Sequence, residues 1–299
     1  MTIPHPLNRS AHQNHHALLR SSSRRSVLLG GAASIASILF SSCTRNQNSA
    51  STTTSPQPVS KVKVGVAVVV PEDILKFVQK EIAPSQNLEV EIVKISDWVQ
   101  INNALQSGEI DVNFFQHQAY MEDAAKRQNL DLVLLNRIYI SVFGIYSKQL
   151  NLKSVDEIPD GATVAVHSDP INRDRGLKLL RDNGLINLKD NPDGLFTLKD
   201  ITDHPKKLDV KEVEGPALAR ALDDVDIGVT YATLLKLAKL DLTPILQAPT
   251  DDRFYATGLV TVRSKQNDPN IQKLNQLVVQ PKVKEFIQTT FSGTVVPVF

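Results

Sequence analysis

From residue 61 to the C-terminus the chain alternates between two hydrophobic periods, and this limits the fold more than any other feature. Short β-branched, apolar runs read as strands, and between them apolar residues recur at helical spacing. Residues 62–68 (VKVGVAV) form the first strand, and residues 72–82 place Ile74, Leu75, Val78 and Ile82 on one helical face. The pattern continues with a strand over 88–95, a helix from Asp97 to Gln106 stopped by Gly108, a strand over 110–114, a helix over 120–127 and extended chain over 132–146. The second half repeats it, with strands over 163–166, 210–213, 226–230 and 259–262 and helices over 173–183, 217–222, 232–239, 270–280 and 282–290. This order predicts an α/β fold with largely parallel sheets. A body of this length divides into two lobes. In such folds ligands bind beyond the carboxyl ends of strands or in the cleft between domains.

The first sixty residues follow other rules. Residues 1–42 hold Arg9, Arg20, Arg24 and Arg25 but no Asp or Glu, and the first acidic residue of the chain is Glu72. An acid-free, arginine-bearing start followed by an apolar run, here 27–40 (VLLGGAASIASILF), is the pattern of an export signal. The run is shorter than the roughly 20 residues a membrane span needs. Residues 23–28 (SRRSVL) resemble a twin-arginine signal, and the general secretory route stays open beside it. Leu39-Phe40-Ser41-Ser42-Cys43 resembles a bacterial lipobox. In that reading the signal, 1–42, is removed and the Cys43 sulfur receives a diacylglyceryl group, with acyl chains of the palmitate type. Residues 43–60 are polar and aperiodic, a flexible tether. The expected location is the cell envelope, with the body in the periplasm or another extracytoplasmic space and held to a membrane by lipid.

Several function classes drop out. A formal charge of +1, from 33 basic and 32 acidic residues, supplies no positive field for nucleic acid. A single cysteine, Cys43, rules out an intramolecular disulfide and any multi-cysteine metal site. The body has no P-loop, no G-x-G-x-x-G, no G-x-S-x-G and no H-E-x-x-H. His117, His167 and His204 are too scattered for their spacing to imply a metal, and no cofactor is expected.

At residues 103–120, NALQSGEIDVNFFQHQAY, the chain resembles the NlpA family of lipoproteins, the methionine-binding components of ABC importers. The family hallmark is N-A-L-x-x-G-E-x-D-x-N-x-F-Q-H-x-x-Y. Two more blocks agree in order and distance: 154–162 (SVDEIPDGA) followed by Asp169, Pro170, Asn172 and Arg175, and 221–226 (ALDDVD). The resemblance covers 61–299. It implies a two-lobed periplasmic-binding-protein fold, with lobe 1 from 61–142 plus 260–299 and lobe 2 from 143–259. Crossings would lie near 142–144 and 257–259, where Gly144 and Gly258 suit hinges. It further implies a substrate-binding protein, not an enzyme, that delivers methionine or a related amino acid to an ABC permease and its ATPase.

The same resemblance assigns site residues. Arg175 offers a planar fork to a ligand carboxylate. Trp98, Phe115 and Tyr120 line a pocket for an apolar or thioether side chain. His117 falls at the family's ligand-contacting histidine, and Asn172 is either ligand-facing or a helix cap. Two positions depart. The family carries an Asn just after the strand over 226–230, where the nearest match is Thr233, and another in a Y-x-N context that here reads Tyr255-Ala256-Thr257-Gly258. A hydroxyl at Thr233 and Thr257 replaces a more versatile amide. Methionine, a different small carboxylate-bearing ligand and a non-transport surface role therefore stay open. An enzyme using His117 with Asp111 or Glu109 is the further alternative, and no nucleophile motif accompanies it.

Overall fold

The computed structural model describes residues 59–190, 194–203 and 205–299; the export signal, Cys43, nearly all of the tether and His204 lie outside the described residues. The chain begins with β1 (Ser60–Val66), α1 (Val69–Glu81), β2 (Leu88–Lys94), α2 (Gln100–Ser107), β3 (Val112–His117), α3 (Gln118–Gln128) and β4 (Leu132–Ser141). The helical period of α1 buries Val70, Ile74, Leu75 and Val78, and Lys76 meets Glu72 one turn back at 2.5 Å. Gly108 ends α2 in the left-handed conformation, φ 79°. The helix starts later than its sequence suggests, because the Asp97 carboxylate accepts the N–H groups of Val99 and Gln100 at 2.8 and 2.9 Å and holds a turn ahead of it.

After Val142 come β5 (Phe143–Tyr146), β6 (Thr163–His167), α4 (Pro170–Asp182), β7 (Asn187–Leu188), β8 (Ile201–Asp203), β9 (Asp209–Val213), α5 (Gly215–Ala221), β10 (Ile227–Tyr231), α6 (Ala232–Leu237) and β11 (Leu246–Gln247). The chain then returns through β12 (Ala256–Val262), α7 (Pro269–Leu277), α8 (Pro281–Thr290) and β13 (Val295–Pro297). Two main sheets result, ordered β13-β4-β12-β3-β1-β2 and β11-β5-β10-β6-β9, with β7 and β8 forming a small pair. Each main sheet has its own apolar core, one around Val64, Ile74 and Leu259, the other around Val164, Leu180 and Val229.

The fold is the expected two-lobed α/β architecture, and its sheets are mixed. Helical connections force β2 and β3 to run parallel to β1, and β9 and β10 parallel to β6. Strands that carry the chain between lobes break the parallel pattern: β12 runs against its neighbours β3 and β4 in the first sheet, leaving β4 in the same direction as β1, and β5 runs against β10 in the second. β12 enters the first sheet at Ala256, so the return crossing precedes that residue. Gly144 and Gly258 have a packing reason in place of the hinge freedom expected of them. Neither has positive φ. A side chain would strike the carbonyl oxygen of Leu246 at the first and of Asn136 at the second. Among the described residues no helix is long and apolar enough to cross a membrane.

Candidate functional site

Both sheets have a topological switch point. In the first, β1 lies between β2 and β3; in the second, β6 lies between β9 and β10. The carboxyl ends of these strands meet, which is where open α/β sheets bind ligands. Val68 follows β1, His117 ends β3 and Tyr231 ends β10, and all three line one recess between the sheets. The recess has about 440 Å³ of empty space counting its mouth, of which about 40 Å³ admits the centre of a water-sized molecule. By the second measure it has room for roughly three waters, so the two halves are closed upon each other.

Its rings come mainly from the first lobe. Trp98, in the turn before α2, meets Tyr120 edge-on at 5.7 Å and Phe115 at 6.3 Å, and stacks on His167 of β6 at 6.1 Å. Such ring contacts contribute about 0.5–1.5 kcal/mol each beyond area burial. Behind this wall, Asn102, Asn113 and Gln116 form a buried amide cluster. The Asn102 Oδ1 accepts from Asn113 at 2.9 Å and Gln116 at 2.8 Å, and Gln116 also donates to Asn113 at 3.0 Å. With all three satisfied, the end of β3 is held rigidly under the recess.

His117 caps α3, its Nδ1 accepting the Tyr120 N–H at 3.1 Å. The ring proton therefore sits on Nε2, which lies 3.1 Å from Asn172 Oδ1 and 3.2 Å from Tyr231 Oη, both across the cleft. Burial, reinforced by the nearby Arg175 charge, pushes its pKa down to about 4, so the ring is neutral near pH 7. Asn172 sits in the first turn of α4. Asp169 caps that helix, accepting Asn172 N–H at 2.9 Å and its side-chain amide at 3.0 Å. Asn172 is thus held by the cap and also faces the recess. A second bridge joins Ser141 of β4 to Thr233 of α6, hydroxyl to hydroxyl at 3.1 Å.

Of the residues singled out in the sequence, Trp98, Phe115, His117, Tyr120, Asn172, Thr233 and Thr257 line the recess. Arg175 does not. Its guanidinium lies 3.8 Å from the Tyr255 ring centre and 4.6 Å from that of Phe143, and its Nη1 donates to Tyr231 Oη at 3.2 Å. Tyr231, Tyr139, Ser141 and Val68 also line the recess and were not singled out. Tyr231 directly follows the strand expected over 226–230, two positions before Thr233, and both line the recess.

The NlpA lipoprotein family model matches residues 62–299. The chain belongs to the NlpA lipoprotein family. It is 35% identical over 235 residues to the D-methionine-binding lipoprotein MetQ of Salmonella typhi, covering 78% of this chain and 86% of that one. It is 31% identical over 271 residues to lipoprotein 28 of Escherichia coli, covering 90% and 96%. A solved nutrient binding protein from Burkholderia cenocepacia bound to methionine shares the fold with a TM-score of 0.74 at 34% identity, covering 80% of this chain and 100% of that chain. This is a family of substrate-binding lipoproteins, not of enzymes.

Proposed function

We propose that the chain is the lipid-anchored receptor of an ABC importer. Residues 61–142 with 256–299, and residues 143–255, act as lobes that close on methionine or a chemically related small molecule. The closed pair then presents both lobes to the permease, and the ATPase drives uptake. Cys43 carries the lipid, and the tether lets the body reach its membrane partner from the extracytoplasmic side. The observation that carries this reading is the enclosed recess at the meeting strand ends, with hydrogen bonds joining its two walls (His117 to Asn172 and Tyr231, Ser141 to Thr233). A ligand bound there is surrounded by both lobes, so its binding energy favours closure over the open state. Trp98, Phe115 and Tyr120 suit a thioether or alkyl tail, and the Thr233 and Thr257 hydroxyls supply polar contacts. The methionine named for the relatives gives the ligand class.

Trp98 is the chain's one tryptophan and reports directly on the site. The full chain, solubilised in detergent and refolded to strip any carried ligand, is titrated with L- and D-methionine and with neutral and anionic methylthio-alkyl compounds. The expected result is saturable binding of at least one by fluorescence and calorimetry, without turnover. A folded chain that responds to none of them would refute the reading.

A further inference from the structure

The polar end of the recess is already occupied by the protein's own side chain. Arg175 is buried, and among the described residues no carboxylate pairs with it. A buried guanidinium keeps its charge and needs partners. It finds them in the two rings that flank it and in the Tyr231 hydroxyl. That hydroxyl accepts from Arg175 at 3.2 Å and donates to Asn172 Oδ1 at 2.6 Å, and the same Asn172 oxygen lies 3.1 Å from His117 Nε2. The Asn172 amide is in turn spent on Asp169 at 3.0 Å. The Tyr231 hydroxyl and the Asn172 side chain are therefore satisfied within the protein, and the phenol stands between Nη1 of the guanidinium and the recess. The other end offers the hydroxyls of Ser141, Thr233 and Thr257. Both histidines nearby, His117 and His167, are neutral near pH 7 because burial holds their pKa values at about 4 and about 3.

Resting on the reading of this recess as the solute site, we infer that Tyr231 takes the place of a ligand carboxylate beside Arg175, so that the cleft selects a small uncharged solute: a methylthio or alkyl chain bearing one hydroxyl or amide head. Introducing an anion would require expelling the phenol from three hydrogen-bonding partners and desolvating the new charge. A zwitterion would also bury an ammonium against rings and hydroxyls, with no carboxylate lining the recess to receive it. The limited free space favours the same class, a chain with one small head group over a branched amino acid.

The test compares three probes with one tail: 3-(methylthio)propan-1-ol, 3-(methylthio)propanoate and L-methionine, titrated calorimetrically into the full chain. The wild type is expected to prefer the alcohol over both charged probes by at least about tenfold, the scale of one charge-assisted hydrogen bond lost. Tyr231→Ser, which opens space at the Arg175 edge, is expected to move the propanoate-to-alcohol preference toward the carboxylate by at least about tenfold. If this variant does not fold, the wild-type ratio decides alone. Wild-type binding of L-methionine or the propanoate as tightly as the alcohol overturns the inference and leaves the receptor reading standing. So does a folded Tyr231→Ser variant with an unchanged ratio. No binding of any of the three by the folded wild type overturns both.

Discussion

Gly215→Ala separates lobe closure from folding. Gly215 opens α5 in the second lobe, and the edge of the Trp98 ring from the first lobe lies against it. An added Cβ would sit 2.5, 2.6 and 3.0 Å from three Trp98 ring atoms, well inside van der Waals contact. The indole must withdraw by roughly 1 Å, and overpacking of this kind costs about 1–3 kcal/mol. Trp98 is only partly buried and can slide toward the outer groove that it shares with Asp97, Arg127 and Asp169, so the lower part of that range applies. At about 1–2 kcal/mol the affinity falls about 5- to 30-fold. The clash exists only where the lobes meet, whereas alanine is a better helix former than glycine by up to about 1 kcal/mol. The variant should therefore bind less tightly while its ligand-free melting temperature stays level or rises. Calorimetric titration with the best-binding probe and thermal denaturation without it measure the two effects. Affinity within about twofold of wild type would refute the reasoning, since closure would then not bring Trp98 onto Gly215.

Acidification should weaken the fold through its buried histidines. Unfolded histidine takes its proton near pH 6.5, whereas folded His117, facing Arg175 and Asp169 within a ring cluster, waits until about 4. The unfolded state thus binds the proton first: stability is full above about 6.5 and declines toward about 4, by roughly 3 kcal/mol at 1.36 kcal/mol per unit. His167, held at about 3, adds a loss of the same sign, and Asp169, raised by burial, opposes it in the carboxylate range. Denaturant midpoints that match at about pH 7 and about pH 4.5 would contradict this. Asn102→Ala strands Asn113 and Gln116 in a dry site and should cost about 2–4 kcal/mol, read as a lower denaturant midpoint. Thr233→Val removes the Ser141 bridge and should loosen ligand binding by up to about tenfold, with stability lowered by no more than about 1.5 kcal/mol.

The periodic residues made the fold legible. β1 and β2 are where their β-branched runs put them, α1 has the expected buried face, and Gly108 ends α2 as read. Short pieces escaped. The β7–β8 pair, β11 and β13 have two or three residues each, too few to show a period. The reversed direction of β12 was equally hidden, because antiparallel pairing depends on where the chain crosses between lobes. Within the site, the blocks around Phe115, His117 and Asn172 brought together residues that meet in space. Tyr231 escaped because every residue of β10 is buried, so alternation does not say which side chain faces the cleft. The role expected of Arg175 assumed an open fork, and only the structure shows its Nη1 donating to a tyrosine 56 positions later in the chain.

Native mass spectrometry of the full chain, purified from its own cells without unfolding, tests the central claim most directly. The account requires one small molecule per chain, released on unfolding, with an apolar or thioether tail. A chain that carries nothing and, once folded, takes up none of the methylthio probes would contradict it.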